Sequence, residues 1–269
     1  MAARWALGLA LLTIPMGSGA LAKSAPAPSV AEQAAISQAA ERGRLIYAFD
    51  QAAWHSTDAL RRQIPAASLP ADGGWVVEPR GDLLAVTYYG VEGETIYALF
   101  QADMHGSKVI KSRVFGPKDD RTLTPQTLML IRARQAAMRH GNGKARCTSG
   151  PFNIVVLPQE AGQPTPVYLL TPMDTAGEYP FGGHYRIDVA PDGTVVSERA
   201  FTMACLEIGA PPTGPGGEAL AMVSHMMDPT PTEIHVFMSL WMGKPVVVVT
   251  GPKQAWSVNG DQIELVRMN

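Results

Sequence analysis

Residues 81–115 read GDLLAVTYYGVEGETIYALFQADMHGSKVIKSRVF. Apolar and polar side chains alternate through Leu83–Tyr89, Thr95–Ala102 and Lys108–Phe115. That is the period of a strand, whose successive side chains point to opposite faces. Val91-Glu92-Gly93 and His105-Gly106-Ser107 separate the runs as short hairpin links, so the stretch predicts an antiparallel meander.

Upstream the period is helical. Ser29-x-x-Glu32 has the form of a capping box, in which serine and glutamate each satisfy a free backbone donor. The Ala-rich run after it predicts a helix to about Trp54, with Gly43 a break or kink, and a shorter helical turn Thr57–Gln63 ends before Pro65. Downstream, Thr124-Pro125 is an N-cap and N1 pair for a helix through Leu128 and Ile131 to Met138, with Gly141 as its C′ residue. Beyond it the strand-like runs are Phe152–Leu157, Val167–Thr171, His184–Ala190, Thr194–Ala204, Ala219–Met227, Ile234–Met242, Val246–Thr250 and Gln262–Val266. Asp192-Gly193 and Asn259-Gly260 mark tight turns, and Pro211–Gly217 reads as a flexible loop. Strands without regularly interposed helices predict an α+β fold, a predominantly antiparallel sheet packed by two or three helices. A single domain over 30–269 is expected, with a subdivision near 122–147 as the alternative.

The N-terminal segment reads as an address. Arg4 precedes the apolar run Trp5–Ile14, and Ala20-Leu21-Ala22 is an A-x-A cleavage site, so residues 1–22 read as a signal peptide cut after Ala22. Residues 23–29 form a Pro/Ala/Ser tether, and the mature chain is expected in the periplasm or secreted. The full chain has 22 basic and 24 acidic residues, and loss of Arg4 takes the net charge to about −3. This argues against nucleic acid and anionic membranes as partners, since both recruit an excess of cations. After the leader no apolar stretch approaches the roughly 20 residues that a spanning helix needs. Cys147 and Cys205 are the only cysteines. In an oxidising compartment they are expected to form a disulfide.

Three groups of residues could carry function. If Met222–Met227 and Glu233–Leu240 pair as a hairpin with Met227 opposite Glu233, then His225 faces His235. The two imidazoles and Glu233 would then offer a two-histidine, one-carboxylate site for zinc. That inference depends on register, because a slip of one residue separates the histidines. On the first helix, Leu45, Phe49, Ala52, Ser56 and Leu60 gather on a core face, while Tyr47, Asp50, Gln51, Trp54 and Asp58 gather opposite. Aromatics mixed with acids suit a ligand surface, since rings stack on sugars or cations and carboxylates accept hydrogen bonds. Third is the basic cluster Arg132, Arg134, Arg139, His140, Lys144 and Arg146, read mainly as a solvated helix face. His184, Arg186 and Asp188 likewise read as a solvated sheet face. No G-x-S-x-G occurs, and neither Gly182-Gly183-His184 nor Gly214-Pro215-Gly216-Gly217 has the GK[ST] of a phosphate loop.

The function expected from these readings is non-catalytic. The chain reads as an exported binding or interaction module for an envelope component or small molecule, with no cofactor. A metal-assisted hydrolase using His225, His235 and Glu233 with zinc is the alternative.

Overall fold

The computed structural model describes residues 27–159, 162–209 and 221–266. The segment 1–22 expected to be a signal peptide, with its expected cleavage site, and the expected loop Pro211–Gly217 lie outside the described residues. Helix α1 spans Val30–Gln63. Its capping box forms as expected, Glu32 N–H donating to Ser29 Oγ at 3.2 Å and Ser29 N–H to Glu32 Oε2 at 2.8 Å. The expected break at Gly43 and the separate turn from Thr57 are absent: α1 is one helix of 34 residues. Gly43 serves close approach instead. A Cβ built on it would lie 2.5 Å from Val236 Cβ, where a later helix crosses α1.

The meander is present and gains a strand at its front. β1 (Gly73–Arg80), β2 (Leu83–Glu92), β3 (Thr95–His105) and β4 (Lys108–Val114) pair antiparallel in chain order. Gly81, Gly93 and Gly106 turn the links with φ of 57–59°, a region closed to most side chains. The inner face of this sheet, including Val77, Val86, Phe100 and Met104, buries Ile46, Phe49 and Leu60 of α1.

Helix α2 (Pro125–His140) begins where Thr124 Oγ1 accepts from Thr127 N–H at 3.1 Å. Gly141 is its C-cap with right-handed φ of −75°, rather than a left-handed C′, and the positive φ falls on Gly143. Leu130, Ile131 and Ala137 of α2 form a second core cluster with Val76, Tyr89, Ile154, Val167 and Ile187. Next come β5 (Asn153–Val156), β6 (Thr165–Leu170), β7 (Glu178–Pro180), β8 (Tyr185–Val189), β9 (Val195–Ala200) and β10 (Glu207–Gly209). β5-β6-β8-β9 form an antiparallel sheet, and β7 pairs with β10. The Cys147–Cys205 disulfide is formed.

The last quarter departs most from expectation. β11 (Ala221–Ser224) is followed by α3 (Glu233–Met242), β12 (Val246–Gly251), β13 (Gln254–Asn259) and β14 (Gln262–Val266). The run Ile234–Met242, read as a strand, is therefore a helix. β11 does not pair with it but lies parallel to β12, Ala221 opposite Val246. Parallel neighbours need a crossover, and α3 provides it. The signals were present but outvoted: Thr232 is the N-cap, Glu233 stands in the first turn, and Gly243 ends the helix at φ 60°. Burial of eight of its ten residues removes the one-sided polar stripe that marks a surface helix. Among the described residues the fold is α+β, three α-helices on mostly antiparallel sheets, with β11–β12 as a parallel pair. Among the described residues no helix is long and apolar enough to cross a membrane.

Candidate functional site

Because α1 runs unbroken past Ser56, its polar side stays in register along its full length. Tyr88 of β2 holds the rotation, its hydroxyl donating to Ala53 O at 2.7 Å and lying 2.9 Å from Ser56 Oγ and 2.7 Å from Thr57 Oγ1. Asp50, Trp54, Asp58 and Arg61 thereby line one cleft of about 430 Å³. The facing wall carries Trp75 from β1, Asn153 from β5 and Trp241 from α3. Four of the five residues read on that side of α1, Asp50, Gln51, Trp54 and Asp58, line the cleft. Tyr47 does not; it is half-buried against the main core.

Asp50 dominates the electrostatics. It is 8% exposed, and its one hydrogen-bond donor among the described residues is Gln51 Nε2, at 3.2 Å from Oδ2. Among the described residues no Lys, Arg or His nitrogen lies within 4 Å of its carboxylate. Burial raises its pKa from 3.8 to about 6, with the Gln51 hydrogen bond pulling the other way. The aromatic walls are firmly held on one side: Trp241 stands edge-on to Tyr179 at 5.6 Å and tilted against Phe237 at 5.4 Å. Trp54, 59% exposed, stacks on His55 at 4.9 Å and forms the open lip. Among the described residues no histidine, serine or cysteine lines the cleft.

The histidine pair is assembled by a different route from the hairpin expected. His225 follows β11 and donates its N–H to Val249 O, while His235 sits in the first turn of α3. Their ring centroids are 4.7 Å apart. Their nitrogens have other work. His225 Nε2–H donates to Asp228 Oδ2 at 2.7 Å, and Arg199 also pairs with that carboxylate. His235 Nδ1 accepts from Thr232 N–H at 3.0 Å, filling the place of the capping-box glutamate. A neutral ring that accepts at Nδ1 carries its proton on Nε2. Burial holds His235 neutral, its pKa lowered to about 3. Glu233 accepts from Tyr168 Oη at 2.9 Å and has Arg186 Nη1 at 4.0 Å. Among the described residues no three His, Cys, Asp or Glu side chains converge as metal ligands. The pair and its neighbours lock the start of α3.

His184 and its companions are also not the solvated face expected. His184 is fully buried, accepting at Nδ1 from Thr171 N–H at 3.2 Å and donating from Nε2 to Pro180 O at 2.8 Å. Burial lowers its pKa to about 4. Arg186 grips Asp188 through two hydrogen bonds of 2.8 and 3.0 Å.

No family model matches the chain. Nor does any curated protein or any solved structure. What the chain does is therefore read from its own residues, and the cleft beside Asp50 is where they concentrate. Trp75 and Trp241 belong to that cleft yet bear no spacing to Trp54 in sequence. The packing of β1 against α1 brings the first to it, and the crossing of α3 over α1 brings the second.

Proposed function

We propose that this chain is an exported, non-catalytic binding protein whose cleft between α1, β1 and α3 takes a small organic cation. The observation that carries this reading is Asp50: a buried carboxylate without a cationic partner among the described residues, in a cleft walled by Trp54, Trp75 and Trp241. A buried charge is costly unless paired, so an ammonium group bound beside Asp50 gains a desolvated ion pair and relieves that cost. Indole faces are the best side-chain partners for such a cation, contributing about 0.5–2 kcal/mol each. The cleft's volume falls within the roughly 300–1,000 Å³ of small-ligand sites. Export is supported by the leader's sequence pattern and is consistent with the disulfide.

The test is a fluorescence titration, since all three indoles report on the cleft. Benzyltrimethylammonium is expected to change tryptophan emission saturably, while benzyl alcohol and benzoate do not. Asp50→Asn should abolish the response with the fold intact. Equal affinity for the neutral analogue, or undiminished binding by the Asn variant, would overturn the reading.

A further inference from the structure

The basic cluster of α2 divides in the structure. His140 and Lys144 both pair with Glu198. Arg134, Arg139 and Arg146 instead share the lining of a second pocket, about 490 Å³, at the C-terminal end of α2. Its apolar walls are Met138, Pro151, Phe152, Ile154 and Leu169. Among the described residues no acidic side chain lines it. Among the described residues none of the three arginines has a carboxylate within 4 Å.

Arg134 is the least expected of them. Its residue is 8% exposed, Nη1 donates to Tyr89 Oη at 3.2 Å, and Nε is buried with no hydrogen-bond partner. A buried guanidinium with neither a counter-charge nor a full set of acceptors is expensive to maintain. Arg139 and Arg146 stand exposed, and the Arg146 guanidinium lies 5.8 Å from the Phe152 ring centroid. Three cations beside an apolar floor describe a site in which charge and greasy surface are recognised together. Guanidinium groups suit carboxylate and phosphate because their forked N–H donors match two oxygens at once.

We propose that this pocket binds a small amphipathic anion, a carboxylate or phosphate carried on an apolar chain or ring. The charged group sits among Arg134, Arg139 and Arg146, and the apolar body lies over Phe152, Ile154 and Leu169. The site is separate from the Asp50 cleft, shares no lining residue with it, and selects the opposite charge.

Isothermal titration of the protein with decanoate and decyl phosphate, below their micelle concentrations, tests this directly. Decanol and decyltrimethylammonium serve as the neutral and cationic counterparts. At least one anion is expected to bind with one-to-one stoichiometry, and the two counterparts are not. The double variant Arg139→Gln/Arg146→Gln, which changes two exposed side chains, should weaken that binding by about tenfold or more while leaving thermal unfolding unchanged. Arg134→Gln should weaken it further; if that variant does not fold, the double variant decides. The proposal is overturned by no binding of either anion, by equal binding of decanol, or by unaltered affinity in the double variant. Association with phosphatidylglycerol vesicles but not with the monomeric anions would overturn it too, since the recognition would then belong to a membrane surface.

Discussion

The imidazoles of His225 and His235 stand edge to face with centroids 4.7 Å apart, one beyond the end of β11 and the other in the first turn of α3. Their proximity comes from the crossover that carries the chain from β11 to β12, and its consequence is for stability. His235 is held neutral to about pH 3 and His184 to about pH 4, both chiefly by burial. In each case the folded pKa lies below the unfolded value of 6.5, so the stabilisation is present above pH 6.5. It is lost as pH falls through the window down to 4 and then 3. The urea midpoint is expected to drop between pH 7 and pH 4, and nitrogen-detected NMR should find both rings uncharged at pH 5. A ring titrating near pH 6.5 would contradict this.

Asp50 has the opposite sign. Its folded pKa, about 6, lies above the unfolded 3.8, so ionisation opposes folding, and the penalty is fully present above pH 6. A shift of about two units corresponds to roughly 3 kcal/mol as an upper limit. Asp50→Asn is therefore expected to raise stability at pH 7 by about 1–3 kcal/mol, measured by urea unfolding, while abolishing amine binding. The gain in stability follows from burial alone, so loss of binding is the outcome that marks a functional residue, and a buried carboxylate without a binding role would show only the gain.

The same titration governs affinity. Protons compete with a cationic ligand for Asp50, so binding of benzyltrimethylammonium should weaken by about tenfold between pH 7 and pH 5. Fluorescence titrations across that range check it. The Asn variant supplies the pH-independent control for emission.

Gly43 allows α1 and α3 to touch. Gly43→Ala places a methyl 2.5 Å from Val236 Cβ and 2.6 Å from Glu233 O. The overpacking cost of about 1–3 kcal/mol should exceed the gain of about 1 kcal/mol in helix propensity. Thermal unfolding is expected to show net loss, and Val236→Ala in the same chain should recover part of it, the coupling expected of residues in contact.

The disulfide closes a loop with a sequence separation of 58 residues. Replacing Cys147 and Cys205 with alanine should cost about 4 kcal/mol by the chain-entropy relation. Unfolding with and without reductant gives the same comparison without mutation.

Much of this architecture is written in local pattern. The meander follows from period-two runs and glycine links, α1 and α2 begin at side-chain caps, and the cysteines could find only each other. These features rest on neighbours close in sequence or on simple counting, which is why they are legible. Residues 233–242 were not, because a buried helix and a buried strand both lack polar faces, and β-branched Ile234 and Val236 favoured the wrong choice. His184 misled for a similar reason: its polar side chain suggested solvent, whereas Thr171 N–H and Pro180 O satisfy it inside the core.

The sequence by itself determined the α+β class, three strands of the meander, the starts of α1 and α2 and the disulfide. Tertiary structure alone decided that α1 continues past Gly43 and that β11 lies parallel to β12. It also drew Trp75 and Trp241 to Asp50, and gathered Arg134, Arg139 and Arg146 around one pocket with no carboxylate within 4 Å among the described residues. The difference is physical: caps, turns and periodicity act over a few residues, but a binding site is made by side chains whose distance in sequence says nothing about their distance in space. Burial, which raises Asp50 and holds His184 and His235 neutral, exists only once those distant surfaces have met.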